Sequence, residues 1–136
     1  MVVVVDTNVL VSGLLSAHGA PARVLDLLTT GDLQAVYDDR IAAEYRQVLA
    51  RERFGFHPGV VGHLLDYLFS EGIAIVARPL PALLPDPGDQ PFWEAAVEAV
   101  APLITGNLKH FPTEVCTGIE VLAQATFIDW WRASRR

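Results

Sequence analysis

The sequence begins MVVVVDTN (residues 1–8), in which four consecutive valines are followed directly by Asp6, Thr7 and Asn8. β-Branched residues favour strands, and an apolar run without polar alternation is typical of a strand buried on both faces of a parallel sheet. Ligands of open parallel sheets bind outside the carboxyl ends of the strands. The opening stretch therefore predicts a buried parallel strand and places Asp6 where a functional site is expected.

The rest of the chain alternates apolar runs that predict strands with amphipathic stretches that predict helices. The predicted strands are Met1–Val5, Leu33–Tyr37, Ile73–Ala77 and Leu103–Thr105, with Glu120–Leu122 as a further candidate. Apolar side chains recur at helical spacing in the segments that begin near Pro21, Ile41, Val60 and Phe92. This alternation predicts an α/β fold with a mainly parallel sheet. Residues 78–91 are rich in proline and predict a surface loop.

The composition indicates a folded, soluble protein. A chain of 136 residues is long enough to bury one core, and we predict a single domain over residues 1–136. Hydrophobic residues make up 51% of the chain and charged residues 19%, which excludes a disordered protein. Asp6 interrupts the apolar start, so we expect neither a membrane span nor a secretory signal. Together with the single cysteine, Cys116, this indicates a reduced, cytoplasmic compartment.

The charge of the chain limits how it can bind a polyanion. The formal net charge of −6 argues against a purely electrostatic grip on nucleic acid. An acidic protein can still act on nucleic acid when divalent cations bridge its carboxylates to phosphate, and Mg²⁺ and Mn²⁺ prefer such oxygen ligands. The positions of the acids along the chain are therefore the most informative feature of the sequence.

Polar residues follow two of the predicted strands. Asp6 follows the first strand, and Thr105, Gly106 and Asn107 come at the end of the fourth, so these groups converge if the two strands are neighbours. Glu44 stands beside the apolar stripe of its predicted helix, where a carboxylate is costly unless it is paired or bound to a cation. A boundary position with the carboxylate in solvent is an equally open interpretation of Glu44.

Two further acids, Asp86 and Asp89, lie at the end of the proline-rich loop. Asp89 precedes a predicted helix and fits its N-cap, a role that is compatible with metal binding because a carboxylate has two oxygens. Asp86 fits a turn within Asp-Pro-Gly-Asp. The sequence contains no glycine-rich phosphate loop, no HExxH motif and no GxSxG motif, which disfavours nucleotide-binding, zinc-protease and serine-hydrolase chemistry.

Four segments occur in a fixed order along the chain, namely VVVVDTNVLVSGLLS, IAAEYRQVLAR, DPGDQPFWEAAVEA and LITGNLKHFP. Together they resemble the PIN-domain family, and within it the toxin-type ribonucleases of bacterial and archaeal toxin–antitoxin pairs. The resemblance covers nearly the whole chain. It implies a Rossmann-like fold with four or five parallel strands flanked by helices. It also implies a cluster of three or four acids that binds Mg²⁺ or Mn²⁺, and endonucleolytic cleavage of RNA.

The resemblance carries over to individual residues by motif. Asp6 matches the first acid of the family, Glu44 the second and Asp89 the third, which implies that these three residues are catalytic and bind the metal. Asn107 stands where many relatives have a fourth acid, so it is expected to be a further, uncharged ligand. The expected supporting residues are Asn8, Asp86 and Thr105. The candidate RNA contacts are Arg51, Arg53, Lys109 and His110.

We therefore expect a metal-dependent endoribonuclease in which water attacks the phosphate and leaves a 5′-phosphate and a 3′-hydroxyl. The expected partners are an RNA substrate, a small antitoxin protein and a second copy in a homodimer, and no membrane. One alternative is a catalytically weakened PIN-like module that binds RNA or protein, which Asn107 favours and the three acids disfavour. A second alternative is a receiver-like domain with Asp6 as phosphoacceptor and with Asp38 and Asp39 as its paired acids. The absence of a well-placed lysine after the last strand disfavours it.

Overall fold

The computed structural model describes residues 1–135 and contains a five-stranded parallel sheet flanked by six α-helices. The strands are β1 (Val2–Val5), β2 (Gln34–Tyr37), β3 (Ile73–Ala74), β4 (Leu103–Thr105) and β5 (Val121–Ala123). The helices are α1 (Thr7–Leu15), α2 (Ala20–Thr30), α3 (Asp39–Leu49), α4 (Pro58–Glu71), α5 (Gln90–Ala99) and α6 (Gln124–Ser134). The predicted α/β fold is confirmed. Within residues 1–135, no helix combines the length and the apolar character needed to cross a bilayer.

The strand order β3-β2-β1-β4-β5 puts β1 at the centre of the sheet. The strands β2 and β3 are added on one side of β1, and β4 and β5 on the other side. All four pairings are parallel, so the carboxyl ends of the strands share one edge. Val5 of β1 lies opposite Ile104 of β4, and the N–H of Asp6 donates to the carbonyl of Ile104 at 2.9 Å. The ends of β1 and β4 are therefore neighbours at the switch point of the sheet, where open parallel sheets bind ligands.

The valines of β1 form the centre of the core. Val3, Val4 and Val5 point alternately to the two faces of the sheet and are all fully buried, so both faces are covered. The hydroxyl of Tyr45 in α3 donates a hydrogen bond to the carbonyl oxygen of Val5. This bond fixes α3 against the end of β1, beside the predicted site.

The structure differs from the sequence-based prediction at one strand and two helices. The run Ile73–Ala77 predicts a longer strand, but β3 has two residues because it is the edge of the sheet, and Val76 beyond it is exposed. The segments of α1 and α6 are not among the predicted helices, and α1 shows no helical period because it is apolar nearly throughout. Gly13 within α1 allows close packing against α2, since a Cβ there would lie 2.6 Å from Leu25 Cδ1.

α5 ends at a left-handed residue that is not glycine. Val100 has φ = 51° and ψ = 48°, and it is 84% exposed. This conformation costs a non-glycine residue about 1–2 kcal/mol, and the greater freedom of glycine in the unfolded chain offsets about 0.5–1 kcal/mol of that cost. We therefore expect Val100→Gly to raise the free energy of unfolding by roughly 0.5–1 kcal/mol, measured by urea denaturation.

Val60→Gly is the matched control for this prediction. Val60 is also exposed, but it lies within α4, where glycine weakens a helix. We expect Val60→Gly to lower the free energy of unfolding by about 0.5 kcal/mol. A loss of similar size in both variants would contradict backbone strain at Val100.

Candidate active site

Two side chains hold the carboxylate of Asp6 at the end of β1. The hydroxyl of Thr105 donates to Asp6 Oδ2 at 2.8 Å, and Asn8 Nδ2 donates to the same oxygen at 3.2 Å. Asn8 Oδ1 accepts from the backbone N–H of Gly106 at 3.0 Å. These bonds join the ends of β1 and β4 around an aspartate that is only 6% exposed. The structure thus brings Asp6, Asn8 and Thr105 together at one edge of the sheet.

Glu44 reaches the same edge from α3. Its Oε2 accepts a hydrogen bond from the hydroxyl of Thr7, the residue that follows Asp6. The side chain is half-buried, which fits the boundary position that the sequence allows, and the bond from Thr7 directs one of its carboxylate oxygens towards the end of β1. α3 itself begins at a capping residue, Asp38, whose Oδ1 accepts from the N–H of Ile41 at 3.0 Å.

Asp89 occupies the N-cap position of α5, but its side chain makes no capping hydrogen bond to any described residue. The N-cap interpretation therefore does not account for its carboxylate. Asp89 is 8% exposed, and its Oδ2 is buried. His110 Nδ1 lies 3.0 Å from this oxygen and forms an ion pair with it when the imidazole is protonated.

Asp86 lies beside Asp89 because the loop between them turns tightly. Asp86 Oδ1 accepts from the N–H of Gly88 at 2.8 Å, which closes the turn that the sequence predicts. One donor atom from each of Asp86, Asp89 and His110 lies within 4.8 Å of the others. In the described part of the chain, these three residues form the group of acids and histidines whose donor atoms are close enough to bind one ion directly. Asp6 and Glu44 are not members of this group.

Burial and like charge both disfavour the ionised acids at this edge. Burial raises the pKa of Asp6 from 3.8 to about 6, and the charges of Asp89 and Glu44 add to the rise. Burial also raises the pKa of Asp89, where His110 opposes the rise while Asp86 and Glu44 add to it. The three acids matched by motif are thus near enough to repel one another.

The donor set fits a hard divalent cation. Carboxylate oxygens are the ligands that Mg²⁺ and Mn²⁺ prefer, and Mg²⁺ keeps several waters that can bridge to acids beyond direct reach. Asp89 and Asp86, which lie close together beside His110, offer oxygen atoms of this kind. The pKa of Asp6 is raised mainly by burial and further by the negative charges of Asp89 and Glu44, and a cation would stabilise the ionised form against both effects.

Asn107 adjoins the site through its backbone. Its N–H donates to Thr105 Oγ1 at 3.0 Å, on the same hydroxyl that donates to Asp6. The Asn107 side chain makes no capping hydrogen bond to the described residues, so the backbone and not the amide closes the Thr-Gly-Asn turn. The side chain of Asn107 is therefore not used for that local role.

The four candidate RNA contacts lie in two places. His110 faces Asp89, and Lys109 precedes it as an exposed residue. Arg51 and Arg53 are exposed on the segment that follows α3, where the Arg53 guanidinium lies 4.8 Å from the centre of the Phe54 ring. The structure thus brings one of the four into contact with the acids.

Comparison with known proteins identifies the family. The family model of the PIN domain matches residues 2–109. This chain belongs to the PIN-domain family. Its fold is also similar to a chain of the crystal structure of VapBC2 from Rickettsia felis bound to a DNA fragment from their promoter. The TM-score is 0.60 and the identity 17%, and the match covers 90% of this chain and 98% of that chain. No curated protein matches the sequence.

Sequence reasoning missed two charged residues beside the site of this PIN domain, Arg40 and Glu94. Arg40 Nη1 donates to Glu94 Oε1 at 2.8 Å, which joins α3 to α5. The signal available in the sequence is that Glu94 lies inside the apolar stripe of α5, between Phe92 and Ala95. Nothing in the sequence identifies Arg40 of α3 as the partner of Glu94.

The burial of Asp6 predicts how the stability of the metal-free PIN domain depends on pH. The folded state binds the Asp6 proton more tightly than the unfolded chain, because the pKa is about 6 against 3.8. The contribution of protonated Asp6 to the free energy of unfolding is complete below pH 3.8 and is lost as the pH rises through about 6. Asp6→Asn removes this loss, so we expect it to be more stable than wild type by about 3 kcal/mol at about pH 8 and by about 0.5 kcal/mol or less at about pH 4.

This prediction is checked by urea denaturation in the presence of a chelator at both pH values. Asp129→Asn is the control, because Asp129 is an exposed residue of α6. We expect its difference from wild type to be the same at the two pH values. A difference between Asp6→Asn and wild type that does not change with pH would contradict the burial effect.

Proposed function

We propose that this PIN domain is a Mg²⁺- or Mn²⁺-dependent endoribonuclease that acts as the toxin of a toxin–antitoxin pair. The supporting observation is the approach of Asp6, Glu44 and Asp89 at one edge of the sheet, where the charges of Asp89 and Glu44 add to the raised pKa of Asp6. Three acids from distant segments repel one another at this edge, and a bound dication is the simplest group that stabilises them together.

Asp6, Glu44 and Asp89 would hold the cation, with Asn107 and Asp86 as further oxygen donors. A bound divalent cation supplies positive charge that offsets negative charge on the scissile phosphate, and it lowers the pKa of a water molecule. The uncharged donor at Asn107 gives this site less negative charge than four acids would. The position of Asp86 next to Asp89 supports its role in replacing that charge.

The protein itself contributes fixed orientation. Thr105 and Asn8 hold Asp6, and Thr7 holds Glu44, so the carboxylates do not have to reorganise when the cation binds. Lys109, Arg51 and Arg53 are exposed cations that would contact phosphates on either side of the cleaved bond. We expect cleavage to occur by attack of water and to leave a 5′-phosphate.

The proposed protein partner is a small antitoxin, and we propose a homodimer for the toxin. The similar solved structure is a VapBC2 complex, which supports a partner of this class. An antitoxin that covers the acidic edge would place a basic side chain against it, since a carboxylate cluster favours a bidentate guanidinium.

A second candidate function is a catalytically weakened module that binds RNA or protein. The observations that favour it are the uncharged Asn107 and the contact of His110 with Asp89, which gives that acid a partner in the protein without a metal. Dependence of RNA cleavage on a divalent cation separates the two functions, because a binding module requires no ion.

Asp6→Asn tests the proposed chemistry directly. The substitution preserves the shape of the side chain and an oxygen for Thr105 and Asn8, but it removes a charged ligand. We expect cleavage of single-stranded RNA in Mn²⁺ to fall by more than roughly a hundredfold, while circular dichroism shows a native fold. Asp32→Asn is the control, since Asp32 precedes β2 at the opposite edge of the sheet. Full activity of Asp6→Asn would contradict the proposal.

Asn107→Asp tests whether this position contributes a ligand. An added negative charge near a dication attracts it most strongly in a water-poor cleft, so we expect the Mn²⁺ concentration for half-maximal cleavage to fall by about threefold or more. The measurement is a cleavage assay titrated with Mn²⁺ on wild type and variant side by side. Coincident curves would remove Asn107 from the site.

A further inference from the structure

A buried acid in α5, Glu94, is held by hydrogen bonds from three residues, although it is only 4% exposed. Its Oε2 accepts from the backbone N–H of Leu80 at 2.9 Å and from Gln90 Nε2 at 3.2 Å. Its Oε1 accepts from Arg40 Nη1 at 2.8 Å. Burial alone raises the pKa of Glu94, but these hydrogen bonds outweigh it and hold the pKa below its ordinary value.

Arg40 connects this acid to the beginning of α3. Its Nε and Nη2 donate to Asp38 Oδ2 at 3.0 and 2.8 Å, while Nη1 donates to Glu94. A planar guanidinium with several fixed donors holds two carboxylates in a defined geometry, which a flexible ammonium does not. The residues Asp38, Arg40 and Glu94, here called the helix clamp, therefore join the N-terminus of α3 to α5.

The first turns of α5 also bind the proline-rich loop through Gln90 and Glu94. Gln90 Oε1 accepts from the N–H of Leu84 at 2.8 Å, and Gln90 Nε2 donates to the carbonyl of Ala82 at 3.0 Å. Glu94 holds Leu80 in the same loop. The loop that leads to Asp86 is thus fixed to α5 at three backbone positions.

The helix clamp lies one helical turn from the acids of the site. Arg40 and Glu44 are four residues apart in α3, and Gln90, which follows Asp89, is four residues before Glu94 in α5. Residues four apart lie on the same face of a helix, so Arg40 and Glu44 share one face of α3. The oppositely charged pair Arg40–Glu94 thus joins the face of α3 that presents Glu44 to the first turns of α5, which follow directly from its N-cap residue Asp89.

We propose that the helix clamp positions Glu44 and Asp89 for a divalent cation by holding α3 and α5 together against the repulsion between these two acids. This inference rests on the proposed function. The clamp residues are positioning residues, because they act through Glu44 and Asp89 and not on the cation or the substrate. Loss of the clamp lets the two acids move apart and weakens cation binding.

The charge of Arg40 by itself predicts the opposite result. Removing a positive charge near an acidic cluster makes the site more negative and strengthens its attraction for a cation. Weaker Mn²⁺ binding in a variant without Arg40 therefore reports the loss of position and not the loss of charge. The direction of the change separates the two effects.

The experiment measures binding of Mn²⁺ to metal-free protein by electron paramagnetic resonance of the free ion, in parallel with thermal denaturation. We expect Arg40→Met to raise the Mn²⁺ dissociation constant by about tenfold. Arg40→Lys keeps the charge but loses the planar donors, so its constant should lie between those of Arg40→Met and wild type. Glu94 keeps its bonds from Leu80 and Gln90 in both variants, which favours folding.

Arg78→Met is the matched control. Arg78 also pairs with a glutamate of α5, since its Nε donates to Glu98 Oε1 at 2.9 Å, but its side chain is 86% exposed. Glu98 lies a further turn away from Asp89 than Glu94 does. We expect Arg78→Met to bind Mn²⁺ as wild type does, whatever its melting temperature.

Each outcome decides the proposal. If Arg40→Met binds Mn²⁺ as tightly as wild type or more tightly, the clamp is overturned while the proposed function stands. If Arg40→Met does not fold, Arg40→Lys decides, and wild-type affinity in that variant overturns the clamp. If wild type binds no Mn²⁺, the proposed function fails and the clamp with it.

Discussion

The hydrogen bond from Thr105 to Asp6 depends on the parallel pairing of β1 with β4, and the rest of the site is arranged around it. It supports a carboxylate whose burial disfavours its charge. Thr7 continues the chain into α1 and binds Glu44, and α5 brings Asp89 to the same edge. The sheet therefore provides one fixed acid, and two helices provide the others.

Much of the fold follows from local pattern. The β-branched run in β1 predicts a doubly buried strand because four consecutive apolar residues leave no face for solvent. Gly31 ends α2 in the left-handed conformation, which glycine adopts without a steric penalty. α1 escapes prediction because its burial depends on the neighbouring α2, which Gly13 allows to approach closely. The length of β3 depends on its edge position, which no local sequence determines.

The site is predictable from sequence only in part. Asp6 is a candidate because it directly follows a predicted buried strand, and Glu44 because it stands beside an apolar stripe. The contact of His110 with Asp89 and the ion pair of Arg40 with Glu94 join segments whose approach is set by the packing of whole helices. Sequence spacing carries no information on such pairs. Asp89 shows the limit well, since its position is that of a capping residue while its carboxylate points elsewhere.

Asp6 and Thr105 are 99 residues apart in the sequence, with Glu44 and Asp89 between them. During synthesis on the ribosome, the first acid is made long before the hydroxyl that holds it. The helices that carry the other two acids have no complete sheet to pack against until β4 has left the exit tunnel. An unfinished chain therefore lacks the assembled edge. The chemistry of that edge therefore becomes available only after most of the protein has been translated.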